Sequence, residues 1–518
     1  MAVKYLIKNN TYYDSVTLMI ITREVKKVEG VKEVIVGMGT ELNKDLAGNL
    51  NLLTPELQKI TPNDFFISLD SINDNVSEKA FAFVDELLNK KKAESEDYRP
   101  STFESALKYM PDANLVLISL PGRYAAREAK NALLNNKHVM LFSDNVSLEE
   151  EIDLKKLARQ RGLLMMGPDC GTAIINHVAL AFANVIRKGP IGIVGASGTG
   201  IQEVTVMIDK LGSGISQAIG TGGRDLKAEV GGIMMIEGLK ALQNDPFTEV
   251  IVLISKPPDK EVARKVLSEL QEGKKPSVVC FIGGDPRMIR EYGSIPGLSL
   301  EDTAYKAVAT AKGIPIEDFA GFTVTNINKI IKEEAGKLNE KQKYIRGLYT
   351  GGTLCDEAMI ILSSLVGDIY SNIPIKPEEK LSDISKSYRH SLIDLGDDEF
   401  TQGKPHPMID PYVRQERILR EAQDKEVGII LMDFVLGFGS NPDPAGEMIP
   451  YIRKVREIAA KDGRHICMIS SVCGTEGDPQ NLIEQEKKLE EEGVIVMPSN
   501  AQAVRLAAAI ALSGRERQ

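Results

Sequence analysis

Short apolar runs alternate with helical apolar stripes along the chain, and the alternation divides it into four α/β units. In residues 1–98, Tyr5-Leu6-Ile7, Val34-Ile35-Val36 and Phe65-Phe66-Ile67 read as strands, while residues 16–28 and the stripe Val76, Ala80, Val84, Leu87 have helical spacing. This order predicts a small ferredoxin-like module, an assembly or regulatory piece in preference to a catalytic one. The charged tract 90–100 ends in Pro100 and predicts a linker.

Residues 99–186 run strand–helix–strand–helix–strand. The order is 115–118, a helix through 125–134, 138–142, a helix around Leu154, Leu157 and Ala158, then 163–166. It predicts a parallel, Rossmann-like sheet whose ligands lie beyond the carboxyl ends of the strands. Asn145 in the 143–147 loop lies at that edge, as do Asp169 and Cys170 in the turn Gly167-Pro168-Asp169-Cys170-Gly171. All three are candidate substrate contacts; Asn and Asp are also common turn formers, and both readings stay open. Further strand-like runs occur at 191–194, 250–254 and 277–282 within residues 187–325, and at 428–432, 465–470 and 494–496 within residues 343–518. Both units read as flavodoxin-like, and the polar, lysine-rich stretch 326–342 predicts a connector between them.

Each of these last two units has a glycine-rich turn that follows an apolar run and opens a helical stripe. Gly195-Ala196-Ser197-Gly198-Thr199-Gly200 precedes Ile201, Val204, Ile208 and Leu211; Tyr349-Thr350-Gly351-Gly352-Thr353 precedes Leu354, Ala358, Ile361 and Leu365. A helix start leaves backbone N–H groups unpaired and slightly positive, and glycine lets an anion approach them. Ser197, Gly198, Thr199, Gly200, Gly351, Gly352 and Thr353 are therefore the candidate phosphate-binding residues. Thr199 with Gln202 fits a capping box, and Thr353 with Asp356 a looser one. No Gly-Lys-Ser/Thr follows either turn, so a P-loop is not indicated.

At 518 residues the chain has room for about three to four domains. Its net charge of −10, without Lys/Arg blocks, argues against nucleic acid and acidic membrane surfaces as partners. No apolar run approaches ~18 residues and the first eight residues lack a signal-peptide pattern, which predicts a cytoplasmic protein. Five scattered cysteines suit a reducing compartment, and their spacing predicts no metal site.

The two turns resemble the paired "power helices" of succinyl-CoA synthetase, whose N-termini jointly grip a phosphoryl group and there belong to different subunits. Residues 166–175 are similar to the IGPNCPG segment of the synthetase α subunit. Residues 189–199 are similar to its GxIGIVSxSGT, and residues 348–356 to the GGIVRCD region of the β subunit. The layout, including the tract 394–411, resembles the FdrA family of acyl-CoA-synthetase-like proteins over most of the chain. That resemblance implies a CoA-binding-type domain at 99–186 and ligase domains at 187–325 and 343–518. It further implies a subunit of an oxamate carbamoyltransferase, which exchanges oxalurate and phosphate for oxamate and carbamoyl phosphate in purine and allantoin catabolism. Phosphate or carbamoyl phosphate and a small acid are the implied ligands, and the other subunits of an oligomer, encoded nearby, are the implied partners. An NDP-forming acyl-CoA synthetase subunit and a non-catalytic scaffold are the alternatives.

The chain departs from the synthetase where the latter carries its phosphohistidine. The corresponding stretch, Phe281-Ile282-Gly283-Gly284-Asp285-Pro286-Arg287-Met288, has no histidine, and none occurs between His177 and His390. A phosphohistidine cycle is not expected. Gly37-Met38-Gly39-Thr40 is the nearest counterpart of the synthetase's CoA turn, and an ATP-grasp half has no room; CoA stays open as a cofactor and no other is expected. Gly283, Gly284, Asp285 and Arg287 are candidate substrate contacts, with helix capping the plainer role for Asp285. Pro405, Pro407 and Pro411 stiffen a loop around His406 and Asp410, and Arg414 follows. Rigid loops present functional side chains, which makes His406 a candidate general acid/base, Asp410 its companion and Arg414 an anion clamp. Cys170 and Cys355 adjoin the turns without a histidine partner and are expected to be inert. The loop 437–441 is a further candidate for facing substrate.

Overall fold

The computed structural model describes residues 3–11, 13, 15–93, 100, 102–401 and 405–515. They form two compact units, Met1–Asp112 with Gln402–Pro405, and Ala113–Thr401 with His406–Gln518. In the first, strands Lys4–Lys8, Phe65–Ser71 and Val31–Met38 make an antiparallel sheet in that order. Because side chains alternate along a strand, Phe65, Ile67 and Leu69 pack on Leu18, Val25 and Val84 of the two long helices, while Phe66 packs on Leu52, Leu57 and Ile60 behind the sheet. The order is that of a small ferredoxin-like module, with three strands among the described residues. Helix Asp74–Ala93 runs into the tract read as a linker, whose residues 94–99 lie outside the described residues.

The second unit begins with a parallel sheet, Leu115–Ile118, His138–Leu141 and Met165–Met166, as predicted. Two larger sheets follow. The first contains β1 (Lys188–Gly195), β2 (Ile215–Gly220), β3 (Val250–Ser255), β4 (Ser277–Phe281) and β5 (Ile295–Pro296) in the order 2-1-3-4-5, all parallel. The hairpin Thr172–Ile175 and Val178–Ala181 extends this sheet antiparallel beyond β2. The second sheet contains β6 (Tyr344–Tyr349), β7 (Ser391–Asp394), β8 (Val427–Val435), β9 (Cys467–Cys473) and β10 (Ile495–Met497), again parallel and in the same relative order. Both are the flavodoxin-like order, so each has its topological switch point beside its first strand.

Four helices join the two sheets: α1 (Gly198–Lys210), α2 (Leu300–Lys312), α3 (Gly352–Val366) and α4 (Asn500–Arg515). Ile201, Val204, Ala304, Ala307, Leu354, Ala358, Val504 and Ala508 belong to one buried cluster, and the alanines let the helices approach closely. The halves are related by an internal pseudo-symmetry down to single residues. Glu203 and Glu357 each lie five positions after the first glycine of their helix. Glu203 accepts from the Asn500 N–H that starts α4 (3.1 Å), and Glu357 accepts from the Leu300 N–H that starts α2 (2.7 Å). Each carboxyl thus caps the last helix of the opposite half. The stretch 326–342 is more than a connector: it forms helix Ile327–Lys337, whose Ala335 is buried in the shared cluster.

Candidate functional site

The amino ends of α1 and α3 meet, with Ser197 Oγ and Thr353 Oγ1 2.5 Å apart. A Cβ at Gly351 would lie 3.0 Å from Thr199 Cγ2, so glycine permits the close approach. Ser197 is the N-cap of α1, its Oγ accepting from Gly200 N–H at 3.0 Å, and Gly351 is the N-cap of α3. The helices therefore start earlier than the two capping boxes require, and neither box forms: Thr199 and Thr353 lie inside the first turns. Gln202 instead donates to Asn184 Oδ1 (3.0 Å), and Asp356 pairs with Lys256 (2.7 Å). Among the described residues, no acceptor is bonded to the N–H groups of Gly198, Thr199, Gly352 and Thr353. All seven predicted phosphate-binding residues are brought to this junction.

Buried carboxylates surround it. Asp433, on β8, accepts from Thr350 N–H (2.7 Å) and Gly351 N–H (2.7 Å), which fixes the turn before α3. Asp394, at the end of β7, stands beside Gly352: a Cβ there would lie 2.6 Å from Asp394 Oδ2. Burial pushes Asp394 up to about 7, against a backbone bond from Gly396 and the charge of Lys256. Lys256 follows β3. Burial pulls its ammonium down, and the Asp356 carboxylate more than reverses this, so it stays above its ordinary value. Sequence reasoning missed Lys256, Asp356, Asp394 and Asp433. The available signal was position, since Lys256 and Asp394 end strand runs at the same sheet edge as the turns.

The proline loop reads differently once folded. Arg414 is no substrate clamp: fully buried, its guanidinium donates to the Asp433 carbonyl, approaches the Asp433 carboxylate (3.3 Å) and stacks on Phe434. Asp410 is engaged by its own turn, accepting from Tyr412 N–H at 3.0 Å. His406 does reach the site, for a Cβ at Gly396 would meet His406 Nε2 at 2.7 Å, the Thr350 carbonyl at 3.0 Å and Asp394 Oδ1 at 3.2 Å. Its Nδ1 accepts from Met408 N–H (3.2 Å), which places the neutral ring's proton on Nε2, and burial pushes its pKa down to about 4. At neutral pH His406 is a hydrogen-bond donor, and Asp394 is the better proton carrier. Gln402 to Lys404 lie outside the described residues.

Other candidates are displaced as well. Asp285 caps the helix Pro286–Glu291 and chelates Arg287 (2.8 Å), both exposed, so their charges answer each other. Gly283 packs on Ile360, and a Cβ at Gly284 would crowd Phe281; both serve the turn. Cys170 is buried, its thiol pushed up to about 12 by burial, and its Sγ donates to the Thr172 carbonyl (3.6 Å). Cys355 is likewise buried and raised. The loop 437–441 is packed, with Phe438 N–H donating to Ala183 (2.8 Å) and Gln480 holding Gly437. Asn145 and Asp169 are exposed turn residues with positive φ at the edge of the 113–166 sheet. Surrounding protein pushes Asp169 up to about 6, with Asp144 and Asp398 adding repulsion.

These shifts set a sign for stability. Glu357, raised by burial to about 7 from 4.5, binds its proton more tightly folded than unfolded, as do Asp394 and Asp169. Stability from these groups is full below about pH 4 and is lost as pH rises to about 7. His406 has the opposite sign between about 4 and 6.5, and His138 and His177, also lowered by burial, share it; the buried Glu203, Glu301 and Asp433, all raised, add to the first sense. Melting should therefore occur at a higher temperature at about pH 5.5 than at about pH 7.5, and Glu357→Gln should narrow the gap. An unchanged gap would remove Glu357 from the account.

A cavity of about 350 Å³ opens beside the junction, lined by Ala196, Gly223, Leu226, Ser255, Lys256 and Asp259 among others. It sits between the ends of β1 and β3, the switch point of the first sheet. Lys155 secures its wall: fully buried, Nζ donates to Glu151 (2.8 Å), Asp225 (2.8 Å) and the Thr221 carbonyl (3.0 Å). A cavity of about 550 Å³ at Lys343, Gly367 and Arg389 lies at the opposite, amino end of β6.

Fold and site together define a protein of the NDP-forming acyl-CoA ligase architecture. Family models for a CoA-ligase domain match residues 348–510, for a CoA-binding domain residues 186–283, and for an AllF heavy metal-associated domain residues 1–103. The chain is 47% identical to uncharacterized protein YahF of Escherichia coli (strain K12) over 517 residues, covering all of both chains. It belongs to the FdrA family of acyl-CoA-synthetase-like proteins. A mitochondrial ADP-forming succinate–CoA ligase subunit alpha-2 of Trichomonas vaginalis is 28% identical over 44% of this chain and 75% of its own length. The solved ATP citrate lyase of Methanothrix soehngenii, in complex with citrate and coenzyme A, aligns over 80% of this chain and 83% of its own at 13% identity and TM-score 0.37.

The metal named by the amino-terminal family model does not fit the residues present, and the CoA-binding model matches residues 186–283, not the 113–166 sheet where the resemblance placed a CoA-binding-type domain. Gly122, at the first turn of that sheet, has no open cradle for a diphosphate: a Cβ there would lie 2.3 Å from the Asp144 carbonyl. Asp144 and Asp169 add negative charge at that edge. Residues 1–103 contain neither Cys nor His, so the soft ligands of a heavy-metal site are missing from that segment. No helix among the described residues is long and apolar enough to cross a membrane.

Proposed function

We propose that this chain is a cytoplasmic subunit of a carbamoyltransferase built on the ligase scaffold. It would exchange oxalurate and phosphate for oxamate and carbamoyl phosphate, with partner chains encoded nearby completing the enzyme. One observation carries the reading: two helix amino ends converge, with the N–H groups of Gly198, Thr199, Gly352 and Thr353 unclaimed by acceptors among the described residues. They are suited to a phosphate dianion without a phosphohistidine. A phosphate oxygen attacks the terminal ureido carbonyl of oxalurate, the C–N bond to the oxamyl nitrogen breaks, and that nitrogen takes up the proton phosphate gives away. Asp394, with a pKa of about 7 beside Gly352, is placed to carry that proton. Positioning and electrostatics supply the rate.

The scaffold and its ligase relatives support a second reading, a subunit of an NDP-forming acyl-CoA ligase. The purified chain, reconstituted with its neighbours, separates the two. Phosphate-dependent release of oxamate and carbamoyl phosphate, without CoA, is the expected result. CoA thioester formation with no carbamoyl phosphate would establish the second reading. No catalysis with any combination would leave a scaffold.

A further inference from the structure

We propose that the cavity between the carboxyl ends of β1 and β3 seats the carboxylate end of a small oxo-acid amide, with the Lys256 ammonium as its counter-ion. The substrate class is taken from the carbamoyl-transfer reading; the site itself stands on geometry. Its place is the switch point, where the loops after β1 and β3 part. At about 350 Å³ it is at the small end of ligand pockets, which run from ~300 Å³ upward, and so suits a short acid over a nucleotide-sized group.

Lys256 is the feature that gives the cavity its chemistry. Its side chain is 54% exposed, while Asp356 on α3 engages it at 2.7 Å. An ammonium has three donors, so a carboxylate in the cavity can be bonded while Asp356 holds the side chain in place. The remaining walls compete little. Ala196 and Leu226 are apolar, Gly223 offers backbone, and Asp259 Oδ1 is committed to the Glu261 and Val262 N–H groups at a helix start. Lys227 adds a cation on the exposed rim, and Glu229 beside it points to a mouth of mixed charge. Ala196 directly precedes Ser197, so an acid anchored on Lys256 extends toward the helix ends where phosphate is placed. Asp356 is then a positioning residue that reaches substrate only through Lys256.

The test is a pair of titrations on the complete protein, with oxamate and with inorganic phosphate as separate ligands. Lys256→Gln should weaken oxamate binding roughly ten- to a hundredfold, the worth of one hydrogen bond to a charged group, and leave phosphate affinity within about twofold. Lys256→Arg should recover part of the loss, and Asp356→Asn should raise the KM for oxamate with kcat held. Because the Lys256 side chain is half-exposed, these variants are expected to fold, which the unchanged phosphate titration also reports. Oxamate affinity that ignores Lys256→Gln, equal losses for both ligands, or no oxamate binding by the unmodified protein would each overturn the site. If oxamate and phosphate bind as stated and carbamoyl phosphate never forms, the transfer reading falls and the carboxylate site remains. Transfer with an unchanged oxamate KM in Lys256→Gln gives the converse.

Discussion

Gly352→Val is expected to cut phosphate-dependent carbamoyl transfer by ~100- to 1,000-fold, the cost of losing an oxyanion donor, and to abolish stabilisation of the protein by phosphate. The reason is space. Even the first carbon of a side chain at this position would stand 2.6 Å from Asp394 Oδ2. The buried Asp394 carboxyl also accepts from Gly396 N–H at 2.9 Å, so it can retreat only by giving up that bond. Valine therefore does two things at once: it covers the first N–H groups of α3 and displaces the group placed to carry the proton. Gly352→Ala should give a smaller loss of the same kind. Gly321 supplies the control, since a Cβ there meets nothing within 4 Å and its substitution by valine should leave both readouts unchanged. Full transfer and an undiminished phosphate-induced rise in melting temperature in Gly352→Val would sink the junction as the phosphate site.

Much of this architecture is written locally in the chain. Strands such as 191–194 and 428–432 are continuous apolar runs because parallel sheets are covered on both faces, and such runs can be read without a partner. The glycine turns were legible for a similar reason: an apolar run, glycine and a helical stripe follow one another within a dozen residues or so. What stayed hidden depends on residues far apart in sequence. Glu203 and Glu357 look like polar interruptions of their helices, and only folding shows each capping the other half's last helix. Lys256 pairs with Asp356, and Asp394 meets Gly352, through contacts no local pattern encodes. Arg414 misled for a physical reason. Its place after a rigid proline loop is where an anion clamp is presented, yet the same loop equally well delivers a cation into the core to neutralise Asp433.

That buried pair carries the largest expected effect on stability. Asp433 sits among Thr350, Gly351 and Arg414, and burial raises its carboxyl while the guanidinium and the two N–H groups lower it. Asp433→Ala leaves a charged guanidinium buried without a counter-ion and strips the acceptor from two buried N–H groups. Removing one partner of such a pair costs ~3–5 kcal/mol. Arg414→Met should destabilise less, since an isolated Asp433 can take up a proton and keep its bonds to the turn. The double variant should recover part of the loss, giving a coupling of about 1–3 kcal/mol in a double-mutant cycle on urea unfolding. Strict additivity, or a cost below ~1 kcal/mol for Asp433→Ala, would show that the pair does not hold the turn. If it does, phosphate binding must fall in Asp433→Ala by more than the loss of folded protein explains. The Gly351 N-cap is fixed by Asp433, and the helix end it opens is one half of the proposed anion grip.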